Sequence, residues 1–361
     1  MKTVLTVIGT RPEAIKLAPV LAAMSKNQRL KSQVCITWQH THLLDPFLIA
    51  LDIPITYQLE IHEQLHTLSL KAAQILKQFA SILEAAQPDL VIVQGDTTTA
   101  FIAALAASYS QIPIAHVEAG LRTGSLTSPW PEEAHRCLID RLTTFFFAPT
   151  EEARKTLLAE GTPHEKIWVV GNTSIDALRL MRAPSKKNSK NRNIVVTVHR
   201  RENQGKPLEA ICSALRKIAD EFSDVTILFF LHPNPAVRDP ALKLLSGIPR
   251  IKLMDPTDHT SFVRIMDDSL FVMTDSGGIQ EEAPFMGKPV VIVRDTTERP
   301  EGIEAGTARL VGTQSENIFT CCKDLLENPE TLTRMSKVHF PYGDGFAAER
   351  IVEILDRNLY V

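Results

Sequence analysis

The sequence predicts an α/β protein built from two doubly wound domains, each a parallel sheet with helices on both faces, that face a central cleft. Three observations predict it. Short apolar runs alternate with longer amphipathic stretches almost throughout, a polar basic segment breaks the alternation near the middle, and a second alternation starts beyond it. Buried strands joined by helical crossovers give parallel sheets. A chain of 361 residues also exceeds the usual size of one domain.

The first half offers the strands "TVLTVIG", "SQVCIT", "DLVIVQG", "IPIAHV", "TTFFFAP" and "IWVVG". Between them, helical periodicity covers 12–25, 67–86, 97–109 and 131–142. The opening "MKTVLTVIGTRPEAIK" places a charge before an apolar run, but the run is short, lacks a small-residue cleavage site and enters a Gly-Thr-Arg-Pro-Glu turn. It reads as a strand rather than a signal peptide. The segment "RAPSKKNSKNR", 182–192, has no apolar periodicity and reads as a linker. The second half then supplies "NIVVTVH", "VTILFFLHP", "RIKLMD", "LFVMTDSGG" and "KPVVIVRD".

Composition narrows the class. Hydrophobic residues at 44% and charged residues at 22% are ordinary for a globular protein, and the formal charge of -3 argues against a nucleic-acid partner. No apolar segment is long enough to cross a bilayer. The five cysteines are odd in number and lack C-x-x-C spacing, which indicates reduced thiols and a cytoplasmic protein. The histidines His40, His42, His62, His66 and His259 show no metal-ligand pattern, and no metal is expected.

In doubly wound sheets ligands bind beyond the carboxyl ends of strands. Polar residues gather there in both halves. Gly9-Thr10-Arg11, Gly95-Asp96-Thr97 and His116-Val117-Glu118 follow strands of the first half. His199-Arg200-Arg201-Glu202, His232-Pro233 and Asp275-Ser276-Gly277-Gly278 follow strands of the second.

Ser276, Gly277 and Gly278 stand between a strand and the helical pattern "IQEEAPFMG". A helix N-terminus without side-chain bulk binds phosphate well, although a plain tight turn would use the same residues. Glu281 and Glu282 fall on the first turns of that helix, where carboxylates also complement the helix dipole. A carboxylate beside a diphosphate calls for a hydroxyl partner, and Glu282 on a ribose diol would meet that need. Neither G-x-G-x-x-G nor G-x-x-x-x-G-K-[ST] is present in these turns, which weighs against NAD and ATP. Arg11, at the start of the first helix, and Arg299, on the loop after "VVIVRD", offer forked donors to a diphosphate. Lys16 either joins them or is a surface residue.

The remaining set is acidic. Asp96 in "GDTTTA" is either a functional acid or a helix N-cap. Glu118 in "HVEAGLRTG" emerges at a strand end into a glycine-bearing loop. Glu132 and Glu133 in "PWPEEAHR" occupy a first helical turn, where a dipole role is again possible. His199 in "VVTVHRREN" is a phosphate donor, a proton carrier or a structural histidine.

These residues sit in motifs that resemble one family from end to end. "GTRPEAIKLAPV", "GDTTTAF", "HVEAGLRTG", "SPWPEEAHR", "GNTSIDAL", "HRREN", "TDSGGIQEEAP", "GKPVVIVRDTTERPE" and "PYGDG" look like the non-hydrolysing UDP-N-acetylglucosamine 2-epimerases. The resemblance implies a glycosyltransferase-B-like fold of two Rossmann-like domains. The first is 1–181, completed by the C-terminal helix 344–361, and the second is 193–343. It also implies a homodimer that interconverts UDP-GlcNAc and UDP-ManNAc for polysaccharide biosynthesis, without a cofactor. Carried over by position, the catalytic set is Asp96, Glu118, Glu132 and His199. The substrate contacts are Arg11, Lys16, Arg136, Phe262, Ser276, Gly277, Gly278, Glu282 and Arg299, with Phe262 near the uracil. Gln39, His40, His42, Glu133, Arg200 and His232 correspond to a second, allosteric nucleotide-sugar site. "WQHTHLLD" departs from the family pattern at Trp38 and Thr41, and Val198 stands where a glycine is frequent.

The chemistry implied is an elimination. The C2 proton of a 2-acetamido sugar has no neighbouring carbonyl to accept its electrons, so it leaves as UDP departs from C1, giving a glycal. Returning a proton to the opposite face and UDP to C1 inverts C2. Two outcomes share such a site: a hydrolysing epimerase that releases ManNAc and UDP, and an epimerase of another UDP-2-acetamido sugar.

Overall fold

In the computed structural model, residues 1–37, 53–61, 67–127, 129–181, 192–297, 299–337 and 341–360 are described. The chain divides into two compact units, Met1–Leu180 with Tyr342–Val361, and Met181–Pro341.

Unit 1 contains β1 (Lys2–Ile8), β2 (Leu30–Thr37), β3 (Tyr57–Leu59), β4 (Leu90–Gln94), β5 (Ile114–Val117), β6 (Phe145–Ala148) and β7 (Ile167–Val169). They form one sheet in the order β3-β2-β1-β4-β5-β6-β7, and every pairing is parallel. The alternation of β1 explains the two-sided burial. Val4 and Ile8 join the core that includes Leu17 and Val20 of helix Arg11–Met24. Leu5 and Val7 point the other way, into the core of Phe79 and Leu83 from helix Leu68–Ala86. Successive side chains of a strand face opposite sides, so a strand covered on both faces is apolar at most of its positions.

Helix Ala347–Asn358 returns to this unit and buries Ile351, Val352 and Leu355 in the first of those cores. Its N-terminus is held by Asp176, whose Oδ1 accepts from Ala348 N at 2.7 Å.

Unit 2 contains β8 (Asn193–Thr197), β9 (Thr226–Phe230), β10 (Ile251–Met254), β11 (Phe271–Thr274), β12 (Val290–Ile292) and β13 (Ala308–Leu310). Their order is β10-β9-β8-β11-β12-β13, again parallel throughout. Helices Lys206–Glu221 and Ser315–Glu327 pack apolar faces onto this sheet, burying Ile211, Leu215, Ile318 and Leu325.

Both sheets reverse their winding direction once. In unit 1 the chain runs outward from β1 through β2 to β3, then restarts at β4 on the other side. In unit 2 the same happens between β8 and β11. Beyond the carboxyl ends of two such strands the following loops diverge and leave a crevice. The residues that follow these four strands are Gly9-Thr10-Arg11, Gly95-Asp96, Val198-His199 and Asp275-Ser276.

Two strands were not anticipated, β3 ("YQL") and β13 ("ARL"). Each is three residues long and lies at a sheet edge, where one flank only is paired and a long apolar run is not needed. His116 lies within β5 and is fully buried, rather than following it.

Candidate active site

The turn after β1 is built by close approach. A Cβ on Gly9 would lie 2.4 Å from Thr99 Oγ1, so only glycine lets these two segments meet. Gly9 N donates to Glu13 Oε2 at 3.1 Å, and Thr97 Oγ1 donates to Glu13 Oε1 at 2.8 Å. Glu13 therefore ties the β1 turn to the β4 turn. Its own carboxyl is fully buried, and burial pushes it up to about 7 against the opposing hydrogen bonds.

Asp96 is not the cap of the helix that follows it. Thr97 takes that place, accepting from Ala100 N at 3.0 Å at the head of helix Thr98–Tyr109. The Asp96 side chain is left for another partner, and Arg136 Nη2 lies 2.6 Å from its Oδ2. Arg136 Nη1 donates to Glu133 Oε2 at 2.9 Å. Burial lowers the affinity of Arg136 for its proton, but Asp96 and Glu133 outweigh that and keep it firmly charged.

Glu118 follows β5 with φ of 71°, a left-handed conformation that costs a non-glycine residue energy and is kept where surroundings enforce it. Gln94 Nε2 donates to Glu118 Oε2 at 2.6 Å, and the same oxygen pairs with Lys16 Nζ. Lys16 and Arg11 come from helix Arg11–Met24, whose first turn begins directly after the β1 turn. Glu132 opens helix Glu132–Leu142. Its Oε2 is buried and makes no hydrogen bond among the described residues, which leaves a carboxylate oxygen for a ligand proton. Glu133 is engaged on both oxygens, by Arg136 and by the Thr123 and Gly124 N–H groups at 2.8 and 3.0 Å.

In unit 2 the organising group is Asp275, which is fully buried. It accepts from His199 N at 2.9 Å, Arg200 N at 2.8 Å and Asn203 Nδ2 at 2.9 Å. His199 Nδ1 lies 3.0 Å from Asp275 Oδ1. Burial alone would raise the Asp275 carboxyl; the hydrogen bonds and charge of His199 and the backbone donors outweigh it and hold it below the ordinary range. His199 also stacks against His232, ring centroids 5.9 Å apart. Burial, and the nearby His199, lower the proton affinity of His232.

Ser276 precedes helix Gly277–Phe285 without capping it through its side chain. Gly277 packs directly against Arg299: a Cβ there would lie 2.6 Å from Arg299 Nη1, so any larger residue has to displace the guanidinium. Arg299 Nε donates in turn to Glu281 Oε1 at 2.6 Å. An arginine fork is thus laid against the first N–H groups of a helix, an arrangement suited to a diphosphate. Among the described residues, Gly278 has no neighbour within 4 Å of a Cβ position. Glu282 is mostly buried, with His259 Nε2 3.2 and 3.3 Å from its oxygens. Phe262, on helix His259–Asp267, meets Phe230 edge-on at 5.0 Å.

Unit 1 therefore brings Asp96, Arg136 and Glu133 into one network, and Lys16 with Glu118 into another. Unit 2 brings together His199, Arg200 and His232 around Asp275, and Gly277 with Arg299. Trp38, Gln39, His40, Thr41, His42, His62, His66 and the segment 182–191 lie outside the described residues. The sequence reading missed Glu13, Gln94, Asn203 and the partnership of His259 with Glu282, and it gave Asp275 no role. Among the described residues no group of three or more His, Cys, Asp or Glu could hold a metal, and no helix is long and apolar enough to cross a membrane.

A family model described as UDP-N-acetylglucosamine 2-epimerase matches residues 22–356. The chain belongs to this family. A UDP-N-acetylglucosamine 2-epimerase of Yersinia pestis is 45% identical, over 98% of each chain. A crystal structure of the Neisseria meningitidis UDP-GlcNAc 2-epimerase bound to UDP-GlcNAc is 43% identical, covers 99% of this chain and all of its own, and superposes with a TM-score of 0.93. The Methanocaldococcus jannaschii family member, in complex with UDP-GlcNAc and UDP, is 33% identical with a TM-score of 0.83, over 99% of this chain and 100% of that one. The two parallel sheets with flanking helices are those of the glycosyltransferase-B-like class that the sequence motifs implied.

Proposed function

We propose that the protein interconverts UDP-N-acetylglucosamine and UDP-N-acetylmannosamine by elimination and re-addition of UDP. A carboxylate takes the C2 proton as the C1–O bond breaks, and the electron pair becomes the C1=C2 bond of a 2-acetamidoglucal. The leaving diphosphate carries the negative charge away. A second acid returns a proton to the other face of C2, and the diphosphate oxygen re-forms its bond to C1.

The observation that carries this reading is the acid set of unit 1, where Asp96 is held by Arg136 at 2.6 Å and Glu132 keeps a buried oxygen with no hydrogen-bond partner among the described residues. Proton transfer from carbon needs carboxylates of fixed position and unlike surroundings. In the same reading Asp96 serves one face of the sugar, and Glu118 and Glu132 serve or orient the other. His199, Arg11, Arg299 and the Ser276–Gly277 N–H groups stabilise the departing diphosphate. Glu282 takes the ribose diol and Phe262 lies near the uracil; Lys16, Arg136 and Gly278 complete the substrate contacts. Gln39, His40, His42, Glu133, Arg200 and His232 belong to a second nucleotide-sugar site. The domains proposed are 1–181 with 344–361, and 193–343, joined by 182–192. The working form is a cytoplasmic homodimer that feeds polysaccharide biosynthesis.

The test is incubation with UDP-GlcNAc in deuterated water, with carbohydrate and UDP followed together by NMR. UDP-ManNAc carrying deuterium at C2 is expected. Free ManNAc with accumulating UDP would replace this reading by a hydrolase.

A further inference from the structure

The turn that presents Asp96 contains a soft point. Gly95 has φ of 69°, and a Cβ placed on it would find nothing within 4 Å. Among the described residues no atom packs against that position, and glycine itself is permissive in φ and ψ. Hydrogen bonds fix the turn: Gly95 N donates to Val117 O at 3.1 Å, Thr97 Oγ1 donates to Glu13, and the Gly95 and Asp96 carbonyls accept side-chain hydrogen bonding.

Two histidines supply it. His116 Nε2 lies 2.8 Å from Gly95 O, and His135 Nδ1 lies 2.9 Å from Asp96 O. A carbonyl oxygen only accepts, so both nitrogens donate. These two carbonyls are consecutive and stand on either side of the Asp96 Cα. Both rings are themselves locked. His135 is buried and stacks on Phe101, with centroids 5.2 Å apart and planes 18° apart. His116 Nδ1 lies 2.6 Å from Asp140 Oδ1. Asp140 Oδ2 also accepts from Gly120 N at 3.2 Å and Arg122 Nη2 at 2.7 Å. Burial works to raise the Asp140 carboxyl, but His116 and Arg122 outweigh it and keep it in its charged form.

Helix Glu132–Leu142 thereby reaches the turn three times. Arg136 holds the Asp96 carboxylate, His135 holds the Asp96 carbonyl, and Asp140 acts through His116 on the Gly95 carbonyl. We propose that His135 and His116 are positioning residues that set the main chain of Asp96 for proton transfer at C2. The proposal rests on the epimerase reading above. An acid that must reach a carbon-bound proton has to be held to within about 0.5 Å, and a misplacement of about 1 Å costs about 100-fold in rate.

The test uses substitutions that keep or move one donor. In His135→Asn the side-chain amide nitrogen takes nearly the place of Nδ1; His135→Gln carries it one bond too far, and His135→Leu removes it. For the full-length protein we would measure kcat and KM with UDP-GlcNAc, deuterium entry at C2, UDP affinity by calorimetry and the thermal midpoint. His135→Leu and His135→Gln are expected to lose about 100-fold in kcat, with UDP affinity kept to within about threefold, while His135→Asn recovers most of the rate. A leucine variant at the wild-type rate would overturn the proposal, as would Asn and Gln variants that are equally slow. That last pair decides the matter even where the leucine variant does not fold.

His116 gives the reciprocal check. His116→Gln keeps the donor to Gly95 O and drops Asp140, whereas His116→Asn does the reverse. The glutamine variant is expected to be the faster; the opposite order would remove His116 from the positioning role. A wild-type protein that binds UDP but is inert on UDP-GlcNAc sinks the epimerase reading and this proposal together. An active wild type with unaffected variants sinks the proposal alone.

Discussion

The Arg136 guanidinium lies 2.6 Å from the Asp96 carboxylate, and both side chains are largely shielded from water. A charge-assisted contact of this kind aims the carboxylate. Arg136→Met is expected to lower kcat by about 100-fold while changing UDP affinity little, because the loss falls on the chemical step. Asp96→Asn should abolish deuterium entry at C2. Exchange in the Asn variant at a near-normal rate, read by NMR, would take Asp96 out of the mechanism.

Gly277 and Arg299 occupy one space. A methyl group at position 277 would lie 2.6 Å from Nη1 and 2.7 Å from Cζ of Arg299. The guanidinium has to move, and moving it strains its 2.6 Å hydrogen bond to Glu281. Gly277→Ala is therefore expected to weaken UDP binding by about tenfold, the order of one charge-assisted hydrogen bond. Titration calorimetry with UDP reads this directly, and unaltered affinity would mean that Arg299 does not meet the diphosphate.

Glu13 gives a pH signature. Burial raises its folded-state pKa from 4.5 to about 7, so the folded protein binds this proton more tightly than the unfolded chain. The associated stability is present in full below about 4.5 and is lost as pH rises through about 7, a change of about 3 kcal/mol. Glu13→Gln keeps an acceptor and removes the titration. Its stability relative to the wild type, from urea melts, is expected to grow between pH 5 and pH 8. A difference that stays constant over that range would show that Glu13 does not titrate in it.

Asp176 docks the returning helix. Its Oδ1 accepts from Ala348 N at 2.7 Å, while burial pushes the carboxyl up to about 6. Asp176→Ala leaves buried helix N–H groups unanswered and is expected to cost about 1–3 kcal/mol. Asp176→Asn keeps the acceptor and should cost less. Hydrogen exchange of the amides in 347–358 should accelerate in the alanine variant first; global exchange with no such order would argue against a local docking role.

Much of this architecture is written in local pattern. Residues 90–93 of "DLVIVQG" and 271–273 of "LFVMTD" are apolar without a break because their strands are covered on both faces, and a fully covered strand is the strongest signal a parallel sheet sends. β3 and β13 send almost none, since an edge strand of three residues needs no such run. At the site, the turns after strands were legible because glycine, acid and base cluster there. Their supports were not. Asp275 is separated by 76 positions from the His199 N–H it accepts, and His135 by 39 from the carbonyl it holds. No spacing rule joins residues that only the sheet order brings side by side. Asp96 shows the reverse case: a helix cap and a functional acid carry the same sequence signal, and the Thr97 hydroxyl settles which residue caps.

The triple attachment of helix Glu132–Leu142 to the β4 turn bears on how this enzyme can be re-engineered. Segments fastened to each other at three separate points behave as one part, so grafting either alone from a homologue brings mismatched fasteners. Residues 95–97, 116 and 132–140 form a cassette to be exchanged as a set, while the surface of the same helix stays open to alteration.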